Sequence, residues 1–239
     1  MEVVFLPDAE GEEFVLENEW DVAVPVNFET VDGRLRVSYF PSVEHKITAW
    51  LSAHKSDPFS LDALAALWHA LAPDAKKHGY RAERGRERWG YILQALPDGL
   101  NTSCIQDSTR RLSAADEDFN KTSYDIEMTV EDGRIACGTE VNGKIVSVAV
   151  THFEPQAGKA AEVGVETCKG FRGNGYATSN LVALTEELFK LGARAEYRCY
   201  HDNEASLKTA LKAGFCECGK YYYYVLRRAV RKTAGEERG

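Results

Sequence analysis

The most constraining stretch of this chain is Val163-Gly-Val-Glu-Thr-Cys-Lys-Gly-Phe-Arg-Gly-Asn-Gly-Tyr-Ala-Thr178. A short, mostly apolar run, Val163 to Thr167, leads into a loop holding Gly170, Gly173 and Gly175, and an unbroken helical pattern starts near Tyr176. That order predicts a strand feeding a glycine-rich turn that opens onto a helix N-terminus. Such a turn aims backbone N–H groups and the positive end of the helix dipole at an anion. Glycines suit it because a backbone without Cβ lets the ligand's oxygens come close. Arg172 adds a cation whose planar fork matches phosphate better than a lysine would. The local expectation is a pyrophosphate cradle.

Spacing decides which cradle. A Walker A loop needs Lys-Ser/Thr after its last glycine, whereas Gly175 is followed by Tyr176 and Ala177. A dinucleotide fingerprint needs Gly or Ala where Thr178 stands, and belongs in a first βα unit rather than late in the chain. What remains is Arg172-Gly-Asn-Gly-Tyr-Ala177, an Arg-x-x-Gly-x-Ala pattern. It resembles the coenzyme A pyrophosphate loop of the GNAT superfamily of N-acetyltransferases. A second block, Asn203-Glu-Ala-Ser-Leu-Lys-Thr-Ala-Leu-Lys-Ala-Gly214-Phe215, resembles that family's later motif, with an Asn at a strand end, a short helix, then Lys-x-Gly-Phe. Asn203 and Ser206 suit the cap of that helix and Gly214 its C-terminal turn. Gly-Val-Glu-Thr before the loop, and Cys199 four residues before Asn203, are similar to the subgroup that includes zwittermicin-resistance acetyltransferases.

The resemblance implies an α+β (α/β) GNAT fold: a central mixed, mostly antiparallel sheet with helices on both faces, here preceded by an N-terminal α/β extension. It implies acetyl-CoA as co-substrate and direct attack of a primary amine on the thioester. Backbone groups of Val165, Glu166 and Thr167 would lie beside the pantetheine arm. The amides of Gly173, Asn174, Gly175, Tyr176 and Ala177 would take the pyrophosphate, Arg172 would support the loop or its phosphates, and Asn203 would hydrogen-bond the pantetheine region. For the proton that the amine must lose, Glu166 is the first candidate base, with His152 and His201 as second-rank bases. Many members place a tyrosine seven residues after the Asn; here that position is Ala210. A tyrosine of the run Tyr221–Tyr224, or Tyr176, is then the substitute donor to consider, against unassisted departure of the thiolate. Cys168 as an acyl-carrying nucleophile finds no His–acid partnership in the sequence.

Composition narrows the partners. Of 239 residues, 44% are hydrophobic and 28% charged, as in a globular domain with a sizeable core. The net charge of −8 speaks against a nucleic-acid surface and is compatible with a cationic amine acceptor, a small molecule or a peptide. The basic stretch from Lys76 to Arg88 is mixed in charge and reads as a solvated loop. No apolar run approaches a membrane span, and the acidic start, Met1 to Glu19, is unlike a signal peptide, so a cytoplasmic protein is expected. Six cysteines lack paired zinc spacing, Cys216-x-Cys218 offering two ligands at most; they read as small buried hydrophobes, and no metal is expected. Self-association as a homodimer stays open.

Along the chain, 1–100 reads as the extension, 101–226 as the transferase core and 227–239 as a charged tail. In the first part, Asp32-Gly33 predicts a hairpin turn within Phe28–Tyr39, and Ser60 caps a helix to Leu71 that Pro73 should end. This part is either a degenerate second GNAT-like unit or, as preferred, an extension shaping the acceptor site. In the core, Ser123–Val130 and Ile135–Val141 suggest strands meeting at Glu131-Asp132-Gly133, followed by a strand Lys144–His152, the strand into the loop, a helix to about Leu191, a strand Arg194–Tyr200 and a last strand Glu217–Leu226. An acyl-CoA sensor without turnover is the alternative function class; a nicotinamide or flavin enzyme is a distant third.

Overall fold

The structure is a computed structural model that describes residues 2–7, 22–82, 88–116 and 124–228. Contacts divide the chain into two compact units, one of residues 1–89 with 219–239, the other Gly90–Cys218.

The first unit begins with strand β1 (Glu2–Pro7), the hairpin β2 (Val22–Val31) and β3 (Arg34–Tyr39), helices α1 (Glu44–His54) and α2 (Leu61–Lys77), and the short β4 (Tyr80–Ala82). The Asp-Gly turn is as expected: Asp32 and Gly33 both carry positive φ, 52° and 73°, the geometry that matches strand twist. Ser60 caps α2, its hydroxyl accepting from the Ala63 amide. Pro73, however, does not end the helix, which runs to Lys77. Proline removes the N–H that would meet the His69 carbonyl; the same turn receives the Lys46 ammonium of α1, which donates to the Ala70 carbonyl and pairs with Asp74. Ala63, Leu64, Leu67, Leu71 and Ala75 form the buried stripe of α2, set against Val26 and Phe28 of β2 and Leu35 and Val37 of β3.

The second unit holds β5 (Gly90–Ala95), β6 (Thr109–Arg111), α3 (Ile126–Glu131), β7 (Ala136–Val141), β8 (Lys144–Thr151), β9 (Ala160–Thr167), α4 (Tyr176–Lys190), β10 (Arg194–Tyr200), α5 (Glu204–Ala213) and the start of β11 (Phe215–Arg228). Gly90–Ala95, which the sequence placed with the N-terminal part, belongs here because β5 pairs along β10 from Glu196↔Gln94 to Tyr200↔Gly90. From Gly219 onward β11 belongs to the first unit, pairing with β2 and β4. Of its tyrosines, Tyr222 and Tyr224 are fully buried, their rings on Phe28 and Trp68, Tyr221 is nearly so, and Tyr223 is 40% exposed. The expected tail lies outside the described residues from position 229 on, as do 83–87 of the basic stretch and most of the acidic start.

The expected strand at Ser123–Val130 is a helix instead. Asp125 caps α3 by accepting from the Met128 amide, a bond that closes a helical turn and that no strand can use, and Ser123 itself lies outside the described residues. The remaining strands follow expectation, with Asn142 and Gly143 at positive φ between β7 and β8. The sheet of this unit is mixed: β10 runs parallel to β9 and antiparallel to β5, and β6 to β9 are antiparallel in order. β8 is buried along nearly its whole length because both faces are covered, Val148 and Val150 packing with Ile126 of α3, Ala149 with Leu181 and Leu184 of α4. The cysteines split: Cys137, Cys168 and Cys199 are buried as expected, but Cys216 and Cys218 are exposed.

Helix α4 is tied to the sheet by polar as well as apolar contacts. Asn180, fully buried, accepts through Oδ1 from the Thr139 hydroxyl at 2.7 Å, and Ser179 binds the Thr109 hydroxyl at 2.7 Å and the Gln106 amide at 2.8 Å. Unmet, such buried groups cost about 1–3 kcal/mol each, so the network fixes both the rotation and the height of the helix. At the other end of the fold, Gly214 (φ 97°) ends α5 hard against Gly99, whose carbonyl oxygen lies 2.1 Å from where a Cβ at 214 would stand. Gly33 has a similar φ, 73°, but open space around it. We therefore expect Gly33→Ala to cost only the left-handed strain, about 1–2 kcal/mol, and Gly214→Ala roughly 2–5 kcal/mol, since a backbone clash adds to strain. Urea unfolding of the two variants checks it; equal midpoints would refute the clash.

Candidate functional site

The site begins where β9 and β10 part. Their parallel ladder runs from Arg194↔Ala160 to Tyr197↔Val163 and stops, although β9 continues to Thr167 and β10 to Tyr200. A cavity of about 480 Å³ opens there, lined by Val165, Glu166 and Thr167 of β9, Tyr197 of β10, Arg172, Gly173, Gly175, Tyr176 and Ala177 of the loop and helix start, and Asn203, Ser206, Lys208 and Lys212 of the α5 segment. The structure thus brings together the residues expected around pantetheine and pyrophosphate; Asn174 faces a neighbouring cavity of about 420 Å³ on the far side of the same loop, beside Ser103, Gln106 and Lys212.

The loop geometry explains its glycines. After a single 3₁₀ turn, Lys169–Phe171, Gly173 and Gly175 take φ of 84° and 82°, and Gly175 stands as the N-cap of α4 with no side chain capping the helix. The first intrahelical bond is Ser179 N to Gly175 O, so the amides of Tyr176, Ala177 and Thr178 have no carbonyl of their own helix to meet. A Cβ at Gly173 would meet only open space, and one at Gly175 would touch Gln106 Nε2 at 3.1 Å. The glycines are therefore required first by the left-handed backbone and only second by room for a ligand. Arg172 serves as loop support, Nε donating to the Thr167 carbonyl at 3.1 Å, and Gln106, which sequence reasoning missed, braces the far side by donating to the Asn174 carbonyl at 2.9 Å. Uncapped amides, the dipole of a 15-residue helix, and Arg172, Lys208 and Lys212 around one cavity make a fit for a pyrophosphate.

Asn203 has a double part. Its Oδ1 caps α5 by accepting from the Ser206 amide at 3.2 Å, and the residue lines the cavity. His201 sits half-buried in the preceding turn; it is absent from the lining of the cavity that the described residues form. Ala210 is fully buried in the core of this unit, so the position is closed to any bulky side chain. Cys168 is buried between β9 and the loop.

On the other face of β9, where Glu162, Gly164 and Glu166 point, lies a polar group that the sequence only hinted at through the even spacing of its two glutamates. His152, one residue beyond β8, places Nδ1 3.3 Å from Glu162 Oε1, and Arg198 lies 3.6 Å from the same carboxylate and 2.8 Å from Glu196. Gly164 lies beneath: a Cβ there would stand 2.2 Å from the Tyr124 hydroxyl and 2.7 Å from His152 Nε2. Only glycine admits both groups at that point. Tyr124 was outside every motif, since nothing local marks it; burial, then the negative charges of Glu166 and Glu162, push its phenol up. Burial alone would raise the Glu162 carboxyl too, but the His152 hydrogen bond and the charges of His152 and Arg198 outweigh it and hold it low. A carboxyl held low contributes stability that is present above its unfolded value, about 4.3, and is lost as pH falls through the folded one. Accordingly, Glu162→Gln should flatten the loss of stability between neutral and acid pH, as read by thermal unfolding across that range; an unchanged acid limb would refute the pairing.

Comparison with known proteins agrees with the geometry. Residues 93–224, more than half of the chain, match the sequence pattern of GNAT acetyltransferases. No curated protein matches the chain significantly. Among solved structures, a GNAT-family acetyltransferase of Novosphingobium aromaticivorans is 21% identical, with a TM-score of 0.46 over 63% of this chain and 68% of that one. A GCN5-related N-acetyltransferase-like protein of Streptococcus suis is 17% identical, with a TM-score of 0.41 over 66% and 68%. A GCN5-related N-acetyltransferase of Kribbella flavida is 18% identical, with a TM-score of 0.46 over 69% and 65%. At such distances they carry nothing about substrate. With the match over residues 93–224, the loop and the parted strands have their explanation: this chain belongs to the GNAT acetyltransferase family.

Proposed function

We propose that the protein is an acetyl-CoA-dependent N-acetyltransferase acting on a primary amine of a small molecule or peptide by direct attack on the thioester. The observation that carries this reading is the single cavity that joins an uncapped helix N-terminus to the gap between β9 and β10, with Glu166 in its wall. Acetyl-CoA, when bound, supplies an acetyl group activated as a thioester. The amides of Gly173 to Ala177 hold its pyrophosphate, with Lys208 and Lys212 as neighbouring cations, and the β9 edge from Val165 to Thr167 aligns its pantetheine arm.

The acceptor amine, of reference pKa about 10.4, arrives protonated and must lose a proton before it can attack. Glu166 stands where the cavity meets the polar face of β9, between the cofactor groove and the group of Tyr124, His152 and Glu162. It is our first base. His152, its Nδ1 against Glu162 and its Nε2 over Gly164, is a second acceptor of protons two residues along the same face, whereas His201 does not line the cavity that the described residues form. Glu162 and Glu196 around Arg198, with Glu166 farther along β9, favour a cationic acceptor on that face. Binding of acyl-CoA without turnover is the second reading, favoured by the buried Ala210 where a tyrosine donor is usual.

Two measurements test the reading. Gly175→Val forces a β-branched residue to φ near 82° and against Gln106, which misplaces the first amides of α4; calorimetry should show CoA affinity lost, and unchanged affinity would refute the cradle. Glu166→Gln should lower kcat in a CoA-release assay over a panel of amines by roughly 10²–10⁴-fold with little change in acetyl-CoA affinity. A variant with normal kcat and raised KM for the amine would make Glu166 a binding residue, and wild-type protein that binds CoA yet turns over no amine would favour the second reading.

A further inference from the structure

We propose that Tyr197 on β10, oriented by Ser206 on α5, donates the hydrogen bond that receives the departing sulfur, in the place of the tyrosine missing at Ala210. The proposal rests on the acetyl-transfer reading above and names a group for the step which that reading leaves unassisted.

The placement comes from the sheet. Tyr197 is the last β10 residue in register with β9, opposite Val163, so its side chain stands at the point where the two strands separate. It lines the same cavity as Val165, Glu166 and Thr167. Its ring is held by Phe215 at 6.1 Å in an edge-on contact, and the residue is only 4% exposed. Its hydroxyl lies 2.7 Å from Ser206 Oγ. Ser206 is itself fixed, its amide bound to Asn203 Oδ1 in the α5 cap. A hydroxyl pair can turn its protons either way: when Ser206 donates to the Tyr197 oxygen, the phenol O–H is released toward the cavity.

The other positions that the sequence raised for this donor do not supply it. Ala210 has no donor and no room for one. None of Tyr221 to Tyr224 is among the residues that line the cavity formed by the described residues. Tyr176 is the first residue of α4, at the phosphate end of the cavity rather than at the parting of the strands.

Burial pushes the Tyr197 phenol up to about 12, against a smaller lowering by the Ser206 hydrogen bond, so it keeps its proton at neutral pH. A phenol that weak does not hand its proton to the anion of a thiol near about 8.5, and its part is that of a hydrogen-bond donor. In the step, the bond from amine nitrogen to carbonyl carbon forms and the carbon–sulfur bond breaks. The electron pair leaves with sulfur, which Tyr197 O–H stabilises, and the proton shed by the amine goes to Glu166. A donor placed there stabilises the negative charge that develops on sulfur as the carbon–sulfur bond breaks.

The test reads both the bound product and turnover. In wild-type protein the thiol of bound CoA, followed by the ultraviolet absorption of its thiolate, should ionise below the free thiol's value of about 8.5. Above that pH, CoA should bind tighter than desulfo-CoA, which lacks the sulfur, by roughly 10–100-fold, the range for hydrogen bonds to a charged group. Tyr197→Phe should abolish both differences and lower kcat by a similar factor with acetyl-CoA KM nearly constant. Ser206→Ala, which keeps the α5 cap because that bond is to the backbone amide, should give a smaller loss in the same direction, and Ser206→Thr, which keeps a hydroxyl, should recover most of it. If Tyr197→Phe does not fold, the Ser206 pair carries the test. Wild-type transfer accompanied by unchanged thiol ionisation and kcat in these variants would overturn the proposal and leave the acetyltransferase reading standing. A wild-type protein that binds no CoA would overturn both.

Discussion

Everything at this site depends on the early end of one β-ladder. A parallel pair normally satisfies its backbone groups by continuing side by side, because an unmet buried N–H or C=O costs free energy. Here β9 and β10 stop pairing after Val163 and Tyr197 while both remain extended. Their neighbours make that tolerable. β8 holds the far side of β9 as far as Thr167, and β5 holds β10 as far as Tyr200, so each strand keeps its shape with one edge given up. The released edge is then available to a ligand that offers amides of its own. A fold seldom leaves such a gap without a use for it, and the cavity built on this one has a cation-rich end and a carboxylate wall.

The second constraint is the transfer of the chain from β9 to α4. A left-handed residue at Gly175 turns the backbone sharply enough that the helix starts with its amides toward the gap. The helix cannot drift from there, because Ser179 and Asn180 are bonded into β6, β7 and the Gln106 segment. That is an unusual expense for a helix core, where apolar residues would pack without the risk of an unmet donor. It makes sense as positional control: polar contacts specify one rotation where aliphatic packing tolerates several. The buried polar cluster and the uncapped first turn lie on adjacent turns of one helix, so the same element carries both precision and chemistry.

A third feature is the separation of labour across β9. Alternation sends Ala161, Val163 and Val165 into the core under α4, and Glu162, Gly164 and Glu166 to the opposite face. The strand thus separates the α4 side of the cavity from a surface of paired charges, with Glu166 at the border of the two. Gly164 is the thin place in that wall, where a Cβ would displace both Tyr124 and His152. Charge follows the same logic, with Arg172, Lys208 and Lys212 on the groove side and Glu162 and Glu196 around Arg198 on the other.

What the sequence determined alone is local. The glycine loop, the helix after it, the Asn203 cap, the Asn142-Gly143 turn and the capped start of α2 are set by residues within a few positions of one another, where backbone sterics and caps act directly. So the family could be read from two short motifs, and with it the loop and strand end that line the cavity. Two local readings failed: Pro73 stays inside α2, whose turn carries a contact from Lys46 of another helix, and the Ile126 segment is a helix begun by the Asp125 cap and packed on β8. Tyr124, Gln106 and Tyr197 could not be read at all, and Ser206 only as a residue of the helix cap. Their meaning comes from partners 9 to 73 positions away in hydrogen bonds or across strands, and only the fold brings those partners within reach. The sequence determined which backbone could bind a pyrophosphate; the tertiary structure decided which side chains meet at the reacting end, because that meeting depends on strand register, which no local pattern records.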